Sequence, residues 1–236
     1  MDIEADVTLD WNNFYFIATF YQYLDFRSSV NEPVSMTNPL CRSVRCRGET
    51  DLLCVHYDAS DVIHCYNTDT NTWGVLADLP HGAGYEYAAL AANMSTLYVV
   101  GGRSSDGRSL RSVFSYDLGS RTWSRLSDMK EVRWYHGAVI IGTRYDMMMV
   151  EILDIRIFFR LYSVLGCTQL DSVEYLELDT SADVADTWQL VSPLLCPRHL
   201  PGVGSLDTCI YVCGGSDDNW TAHTTVEMLD TRLDQV

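Results

Sequence analysis

The sequence predicts an all-β fold made of a small antiparallel sheet repeated along the chain, and two observations predict it. Residues 97–102 read Leu-Tyr-Val-Val-Gly-Gly, and residues 210–215 repeat this form as Ile-Tyr-Val-Cys-Gly-Gly. In both places 15 positions separate the first glycine from the fourth residue of the next apolar segment, at 113–117 and at 226–230. A fixed internal spacing indicates one supersecondary unit copied along the chain.

Four partial copies of this unit can be aligned, beginning near residues 52, 87, 137 and 202. Each copy contains short runs rich in β-branched and aromatic residues, separated by turn sequences such as Asp-Leu-Gly-Ser at 117–120. The run Leu-Tyr-Val-Val is apolar at every position, which predicts a strand buried on both faces. The glycines that follow it allow a sharp turn with positive φ.

A tryptophan closes three of the four copies. Trp73 and Trp123 are 50 positions apart, and Trp188 follows 65 positions later. The first interval matches the period of about 50 residues that one class of propeller blade shows, whereas the second is longer. The fourth copy stops before its tryptophan.

The charge balance excludes some partners. The 236 residues include 16 basic and 32 acidic side chains, a net charge of −16, so the average field repels a nucleic-acid backbone. Acidic residues near Met1 argue against a secretory signal. The most apolar later stretch, 147–164, contains four charged residues, which makes a membrane span costly. We therefore expect neither nucleic acid nor membrane as a partner.

Eight cysteines are scattered without a CxxC pair, and six histidines lie in different copies without metal-ligand spacing. We therefore expect no metal and no cofactor. Several cysteines alternate with apolar residues in strand-like runs, where a thiol behaves as a small buried hydrophobe. Reduced thiols predict a cytoplasmic protein.

The Gly-Gly doublets, the Tyr-Asp pair at 116–117, the following Trp123 and the step from Met129 to Arg133 resemble kelch repeats. The resemblance covers residues 52–236 with a gap in the middle. It implies an all-β, kelch-type β-propeller, incomplete with about three to four blades. Residues 45–53 resemble, more narrowly, the junction into the first blade of BTB-kelch proteins. No BTB or BACK signature is readable, so a cullin could be reached only through a BTB domain that this chain lacks.

Two regions depart from the pattern. Residues 1–50 are rich in aromatic side chains and predict a non-repeat N-terminal segment that is irregular, partly helical or disordered, followed by the propeller at 51–236. Within the propeller, residues 143–166 are unlike any blade strand, and the third copy has no Gly-Gly doublet. This stretch is either an insertion or sequence foreign to the fold, and the second interpretation is favoured.

The remaining motif and loop residues divide into two sets by expected role. Structural motif positions, which form turns or pack in the core, are Gly101, Gly102, Tyr116, Trp73, Trp123, Trp188, Gly214 and Gly215. In kelch proteins the loops after the glycines and between blades share one face that docks partners. Carried over to this chain, the predicted partner-binding residues are Arg103, Arg108, Arg133, Trp134, Tyr135, Arg198, His199 and Trp220. Arg133 has an alternative interpretation, in which it pairs with a carboxylate of a neighbouring blade.

The resemblance predicts a non-catalytic propeller that binds a protein or peptide, as the substrate-recognition part of a kelch-like adaptor of a cullin-RING ubiquitin ligase. A kelch scaffold that binds actin or the cytoskeleton is the alternative. A secreted kelch protein or copper-radical oxidase ranks below both, because Cys65-Tyr66 and Tyr211-Val212-Cys213 lie in ordinary strand positions.

Overall fold

The described part of the chain consists of β-strands and their connections. The computed structural model describes residues 41–46, 52–57, 61–67, 70–80, 85–93, 95–145, 156–166, 170–178 and 187–233. These residues contain 15 strands and no α-helix, so the predicted all-β class is confirmed. Within them, no helix has the length and apolar character needed to cross a membrane.

The strands form four antiparallel sheets, here called blades 1 to 4 in chain order. Blade 1 contains β1 (Cys41–Cys46), β2 (Leu52–Tyr57), β3 (Val62–Asn67) and β4 (Thr72–Asp78). Blade 2 contains β5 (Ala89–Ala92), β6 (Thr96–Val100), β7 (Val113–Asp117) and β8 (Thr122–Leu126). Blade 3 contains β9 (Gly137–Tyr145), β10 (Arg156–Val164), β11 (Val173–Glu177) and β12 (Gln189–Leu190). Blade 4 contains β13 (Gly202–Leu206), β14 (Cys209–Cys213) and β15 (Val226–Asp230).

The blades are arranged side by side around a common inner edge. Within each blade the strands pair in sequence order, and the first strands β1, β5, β9 and β13 contact one another in succession. The sheets therefore fan outward from their first strands, which is the arrangement of an incomplete propeller.

Three hydrophobic clusters fill the three spaces between neighbouring blades, and β6 shows why its sequence is apolar throughout. Leu97 and Val99 belong to the cluster shared with blade 1, whereas Tyr98 and Val100 belong to the cluster shared with blade 3. Successive side chains of a strand point to opposite faces, so a strand between two neighbours needs apolar residues at every position. All four side chains are buried.

Part of the atypical stretch 143–166 is a blade strand, so the interpretation that this stretch is foreign to the fold is wrong for residues 156–164. β10 pairs with β9 over nine residues and with β11 over five, as the second strand of blade 3. Leu161, Tyr162 and Val164 are fully buried. Leu161 packs in the cluster shared with blade 2, whereas Tyr162 and Val164 pack in the cluster shared with blade 4, so both faces of β10 are buried although its sequence does not resemble the other copies.

Leu165 and Gly166 occupy in blade 3 the place that Gly-Gly doublets occupy in blades 2 and 4. The backbone N–H of Leu165 donates to the carbonyl of Ser172, as that of Gly101 donates to the carbonyl of Ser112. The φ of Leu165 is 64°, close to the 58° of Gly101. A buried leucine adopts this turn because its side chain packs in the cluster between blades 3 and 4, which offsets the backbone cost.

Strand β1 lies inside the segment 1–50 that the sequence analysis set apart from the repeats. It pairs with β2 over six residues, as the first strand of blade 1. Residues 1–40 and 47–50 lie outside the described residues, so the proposed character of that segment stays a prediction.

Buried ion pairs fasten the loops that enter blades 3 and 4. The Arg133 Nε–H donates to Glu174 Oε1 over 2.9 Å, and both side chains are fully buried. The same guanidinium donates to the carbonyls of Leu165 and Ser172 at 2.6 and 2.9 Å. Burial lowers the pKa of Arg133, and the charge of Glu174 opposes that shift. The inter-blade loop is thereby tied to strand β11.

The junction into blade 4 repeats this arrangement. Arg198 Nη2 donates to Glu227 Oε1 at 2.5 Å, and its guanidinium also donates to the carbonyls of Gly214 and Thr225. In blade 2, Tyr85 and Phe114 occupy the corresponding places, with ring centroids 5.9 Å apart. An aromatic contact therefore replaces the ion pair at that junction.

We expect Leu161→Ala in β10 to lower the free energy of unfolding by about 2–5 kcal/mol, because it removes a fully buried side chain from a packed strand. Val75→Ala in β4 is the matched control, since Val75 is 61% exposed and its truncation costs less than about 0.5 kcal/mol. Urea unfolding followed by circular dichroism measures both. Equal stability of the two variants would show that β10 does not pack as described.

We expect Glu174→Phe to cost about 3–5 kcal/mol, because it leaves the Arg133 guanidinium buried without its counter-ion. The double variant Arg133→Tyr with Glu174→Phe copies the Tyr85–Phe114 contact of blade 2 and should regain at least half of that loss. Arg108→Ala is the control: Arg108 is 81% exposed and pairs with Asp106 at the surface, so its removal should leave the urea midpoint unchanged. A double variant no more stable than Glu174→Phe would contradict the equivalence of the two junctions.

Candidate protein-binding surface on the loop face

Two kinds of loop emerge on one side of the blades, here called the loop face. The first kind follows the second strand of a blade, as at 101–112 and 214–225. The second kind enters the next blade, as at 127–136 and 191–201. Alternate connections of an antiparallel sheet lie at the same end, which brings the two kinds together. All eight residues predicted to bind a partner lie in these loops.

Four half-buried side chains form a compact group on the loop face, here called the Trp134 cluster: Tyr87, Arg103, Trp134 and Tyr135. The ring centroids of Tyr87 and Tyr135 are 4.0 Å apart, and those of Trp134 and Tyr135 are 4.7 Å apart. The Arg103 guanidinium lies 5.0 Å from the centroid of the Trp134 ring. This distance allows a cation–π interaction. The cluster joins residues from three separate loops.

A repeated turn sets the direction of the aromatic side chains. Tyr87, Tyr135 and Leu200 each stand two residues before the first strand of a blade, and their φ values are 58°, 55° and 52°. The Tyr135 N–H donates to the Tyr87 carbonyl at 3.2 Å, and the Leu200 N–H donates to the Tyr135 carbonyl at 3.1 Å. Positive φ is uncommon for residues other than glycine, so these bonds hold a costly conformation in place.

Backbone contacts hold Arg103 over the indole. Arg103 and Glu86 exchange two backbone hydrogen bonds, at 2.7 and 2.9 Å, which join the loop of blade 2 to the chain that enters it. The Arg103 Nε–H donates to the Gly107 carbonyl at 3.0 Å. Gly107 has a φ of 85°, and a side chain there would approach the guanidinium within 3.3 Å. The guanidinium is thus positioned before any partner arrives, which reduces the entropy lost on binding.

A second group lies above blade 4, here called the Trp220 cluster: His199, Asp218 and Trp220. His199 Nε2 lies 2.8 Å from Asp218 Oδ1, and the imidazole stacks against the Trp220 ring with centroids 5.9 Å apart. Trp220 is 64% exposed. The backbone N–H groups of Thr221 and Asn219 donate to Asp217, which lowers the pKa of that carboxyl and keeps the loop anionic.

The other three predicted residues, Arg108, Arg133 and Arg198, belong to neither cluster. Arg108 is exposed and pairs with Asp106 within its own loop. Arg133 and Arg198 are 0% and 1% exposed, as the guanidinium groups of the buried ion pairs. Because both guanidinium groups are buried, assigning Arg133 and Arg198 to a partner-binding surface is wrong. The alternative interpretation, in which Arg133 pairs with a carboxylate of a neighbouring blade, fits its contact, because Arg133 leaves blade 2 and pairs with Glu174 of blade 3.

Tyr87 is the member of the Trp134 cluster that sequence reasoning missed. It stands two residues before β5, as Tyr135 stands two residues before β9. The aligned copies therefore contained the signal. The first strand of blade 2 begins at Ala89 rather than at residue 87, which moves Tyr87 from the strand to the loop face.

The Trp134 cluster consists of recognition groups. An indole, two phenol rings and a guanidinium provide apolar area, hydrogen-bond donors and one positive charge, which are the groups enriched at interface hot spots. Within the described ranges, His, Cys, Asp and Glu side chains do not form a group of three suited to a metal ion.

Comparison with protein families finds the kelch motif at residues 87–130 and 197–235. The first match begins at Tyr87 and contains blade 2, and the second contains blade 4. Both matched segments carry a Gly-Gly doublet, whereas blade 3, with its Leu165-Gly166 turn, lies between them.

Several curated relatives carry kelch names. An F-box/kelch-repeat protein of Arabidopsis thaliana is 40% identical over 76 residues, which cover 32% of this chain and 20% of that protein. Kelch-like protein 21 of Danio rerio is 37% identical over 82 residues, 34% of this chain and 13% of its own length. Beta-scruin of Limulus polyphemus is 26% identical over 216 residues, 73% of this chain and 22% of its own length. The chain thus spans between 13% and 22% of these three relatives.

Among solved structures, YjhT matches with a TM-score of 0.53 and 12% identity, over 75% of this chain and 51% of that one. This likeness concerns the fold. The chain thus carries two kelch motifs, and its described residues form an incomplete kelch-type β-propeller.

Proposed function

We propose that this propeller binds a protein segment through the Trp134 cluster and has no catalytic activity of its own. The observation that carries the proposal is the grouping of Tyr87, Trp134 and Tyr135 beneath a pre-positioned Arg103. Rigid aromatic rings with few rotatable bonds give contact area at a low cost in side-chain entropy. A guanidinium that stacks on a ring still has free donors for an acidic or polar group of the partner.

The Trp220 cluster extends the proposed surface toward blade 4. His199 follows Arg198 as Trp134 follows Arg133, so the two clusters occupy equivalent junctions. In the Trp134 cluster the tryptophan comes from the loop that enters blade 3, whereas in the Trp220 cluster it comes from the loop within blade 4. A partner segment that crosses both junctions would meet a tryptophan at each.

We further propose that this binding serves substrate recognition for a cullin-RING ubiquitin ligase. Support comes from the relatives named Kelch-like protein 21 and F-box/kelch-repeat protein, although each aligns over about a third of this chain. In this proposal the ligase contact is made outside the described blades, and the loop face is left to hold the substrate.

The proposed location is the cytoplasm. Cys196, Cys209 and Cys213 are free thiols. Thiols that are not joined in disulfides are typical of a reducing compartment.

The double variant Trp134→Ala with Tyr135→Ala tests the proposed surface. We expect it to lose at least about 2 kcal/mol of binding free energy, close to 30-fold in Kd, because two central aromatic contacts are removed. Affinity purification of tagged full-length chain from cell lysate, with co-purifying proteins and cullins identified by mass spectrometry, provides the partners. Titration calorimetry with the recovered partner then gives the Kd.

Leu206→Ala is the matched control, since Leu206 is 64% exposed as the last residue of β13, at the opposite end of the blades. It should leave the Kd unchanged, and both variants should keep the urea midpoint of the parent chain. Unchanged affinity of the folded double variant would reject the Trp134 cluster as the binding surface. Captured partners whose ubiquitination in cells does not change when this protein is depleted would reject the ligase role alone.

A further inference from the structure

The chain is depleted of lysine. Its 236 residues include 16 basic side chains, of which 15 are arginine and one, Lys130, is lysine. Lysine is ordinarily among the commonest residues of a soluble protein, and it lies mostly at the surface. The two residue types carry the same charge, so a need for positive charge does not explain the imbalance. What the imbalance removes from nearly the whole chain is one chemical group, the primary amine.

Four of the described arginines have contacts that a lysine could not reproduce. Arg133 and Arg198 are buried, and each guanidinium donates to a glutamate and to two backbone carbonyls. The Arg160 guanidinium lies 4.4 Å from a tyrosine ring centroid and donates to a glutamate through two nitrogen atoms. Arg103 lies over the indole of Trp134. These positions need a planar group with several fixed donors, which an ammonium group does not provide.

Three exposed arginines of blade 2 have no such need of a guanidinium. Arg111 is 58% exposed and lies 3.7 Å from an oxygen atom of Asp128. Arg125 is 61% exposed and donates one hydrogen bond to the same carboxylate, at 2.8 Å. Arg121 is exposed in the turn between β7 and β8, without an ion pair among the described residues. A lysine would serve equally at each place, because exposed ion pairs contribute little to stability.

The amine and the guanidinium differ in one reaction that matters for a ubiquitin ligase. An ε-amine that has lost its proton accepts acyl groups, whereas a guanidinium stays protonated and does not. In ubiquitin transfer, the amine nitrogen attacks the thioester that joins the carboxyl end of ubiquitin to a cysteine of the conjugating enzyme. The C–N isopeptide bond forms, the C–S bond breaks, the amine gives up a proton and the cysteine leaves as a thiol. A protein held beside this thioester meets it at a high effective concentration.

Lys130 is the one primary amine among the side chains of this chain. It is exposed in the loop that enters blade 3, which belongs to the loop face. Its backbone N–H donates to Glu174 Oε2 at 2.8 Å, so the junction that positions Trp134 also fixes the base of this side chain. The amine has no ion pair with the residues that the structure describes, which leaves it accessible to a large reagent.

We propose that arginine replaces lysine in this chain to protect it from ubiquitination by the ligase that it serves, and that Lys130 is its one remaining acceptor. The proposal rests on the proposed ligase role, since a protein held beside activated ubiquitin meets this reaction repeatedly. Ubiquitin joined to Lys130 would stand on the loop face, beside the surface proposed to hold the partner.

Three conservative substitutions test the protection. Arg111→Lys, Arg121→Lys and Arg125→Lys together keep every charge and add three amines to blade 2. The full chain, with a lysine-free tag, is expressed in cells treated with a proteasome inhibitor and purified under denaturing conditions. Its ubiquitin conjugates should rise about fourfold, because the number of acceptor amines rises from one to four. Lys130→Arg in the parent chain should remove the ubiquitin ladder.

Arg111→Gln, Arg121→Gln and Arg125→Gln together are the matched control, because they change the same positions without adding an amine. This variant should keep the conjugate level of the parent chain, and all variants should keep its urea midpoint. A lysine-bearing variant modified no more than the glutamine variant would overturn the protection, and a ladder retained by Lys130→Arg would overturn the assignment of the acceptor.

The same lysine-bearing variant separates this proposal from the ligase role. Its additional conjugates should disappear when cullin neddylation is inhibited. Conjugates that persist under inhibition would overturn the proposal, by assigning them to an unrelated ligase. Ubiquitination of the captured partner, measured in the same cells with and without this protein, tests the ligase role by itself.

Discussion

Burial of both faces of the middle strands is the constraint on which this structure depends. A four-stranded sheet with apolar residues on both sides cannot be covered by its own loops, so each blade needs a neighbour on either side. Leu97 and Val99 of β6 meet blade 1, and Tyr98 and Val100 meet blade 3. The radial arrangement follows, because sheets that share an inner edge can each face two others.

The junctions between blades combine this packing with polar anchors. Arg133 and Arg198 are buried cations. Each pairs with a glutamate and donates hydrogen bonds to backbone carbonyl groups of the loop that it holds in place. The cost of burying these charges is offset only while the whole set of partners is in place. The same anchors set the position of the next residue, Trp134 or His199, on the loop face. Stability inside the junction and the geometry of the candidate binding surface are thus coupled.

Much of the fold could be predicted from the sequence, because turn glycines and apolar runs are local signals. Strands β6, β7 and β8 of blade 2 and the two strands around the second Gly-Gly doublet lie where the repeat placed them. β10 was not predicted, because Leu165-Gly166 replaces the Gly-Gly doublet that marks the end of this strand in blades 2 and 4. The positive φ of Leu165 is stabilised by burial of its side chain between blades 3 and 4. No local pattern reveals that compensation.

The candidate site was harder to predict than the fold. Arg133 and Trp134 are adjacent in sequence, yet the structure buries the first and leaves the second half-buried at the surface. The difference depends on Glu174, which lies 41 residues away and has a counterpart only in Glu227. Tyr87 belongs to the cluster because it stands two residues before β5, as Tyr135 stands two residues before β9. This spacing can be recognised only when the strand boundaries are known.

Hydrogen–deuterium exchange of the full chain tests the central claim most directly, because amide protection reports how firmly each strand is held. Strands enclosed between two blades, β6 and residues 160–164 of β10, should exchange slowest, and β15 should exchange fastest among the paired strands. Rapid exchange at 160–164, or protection of β15 equal to that of β6, would contradict the account that neighbouring blades hold this propeller together.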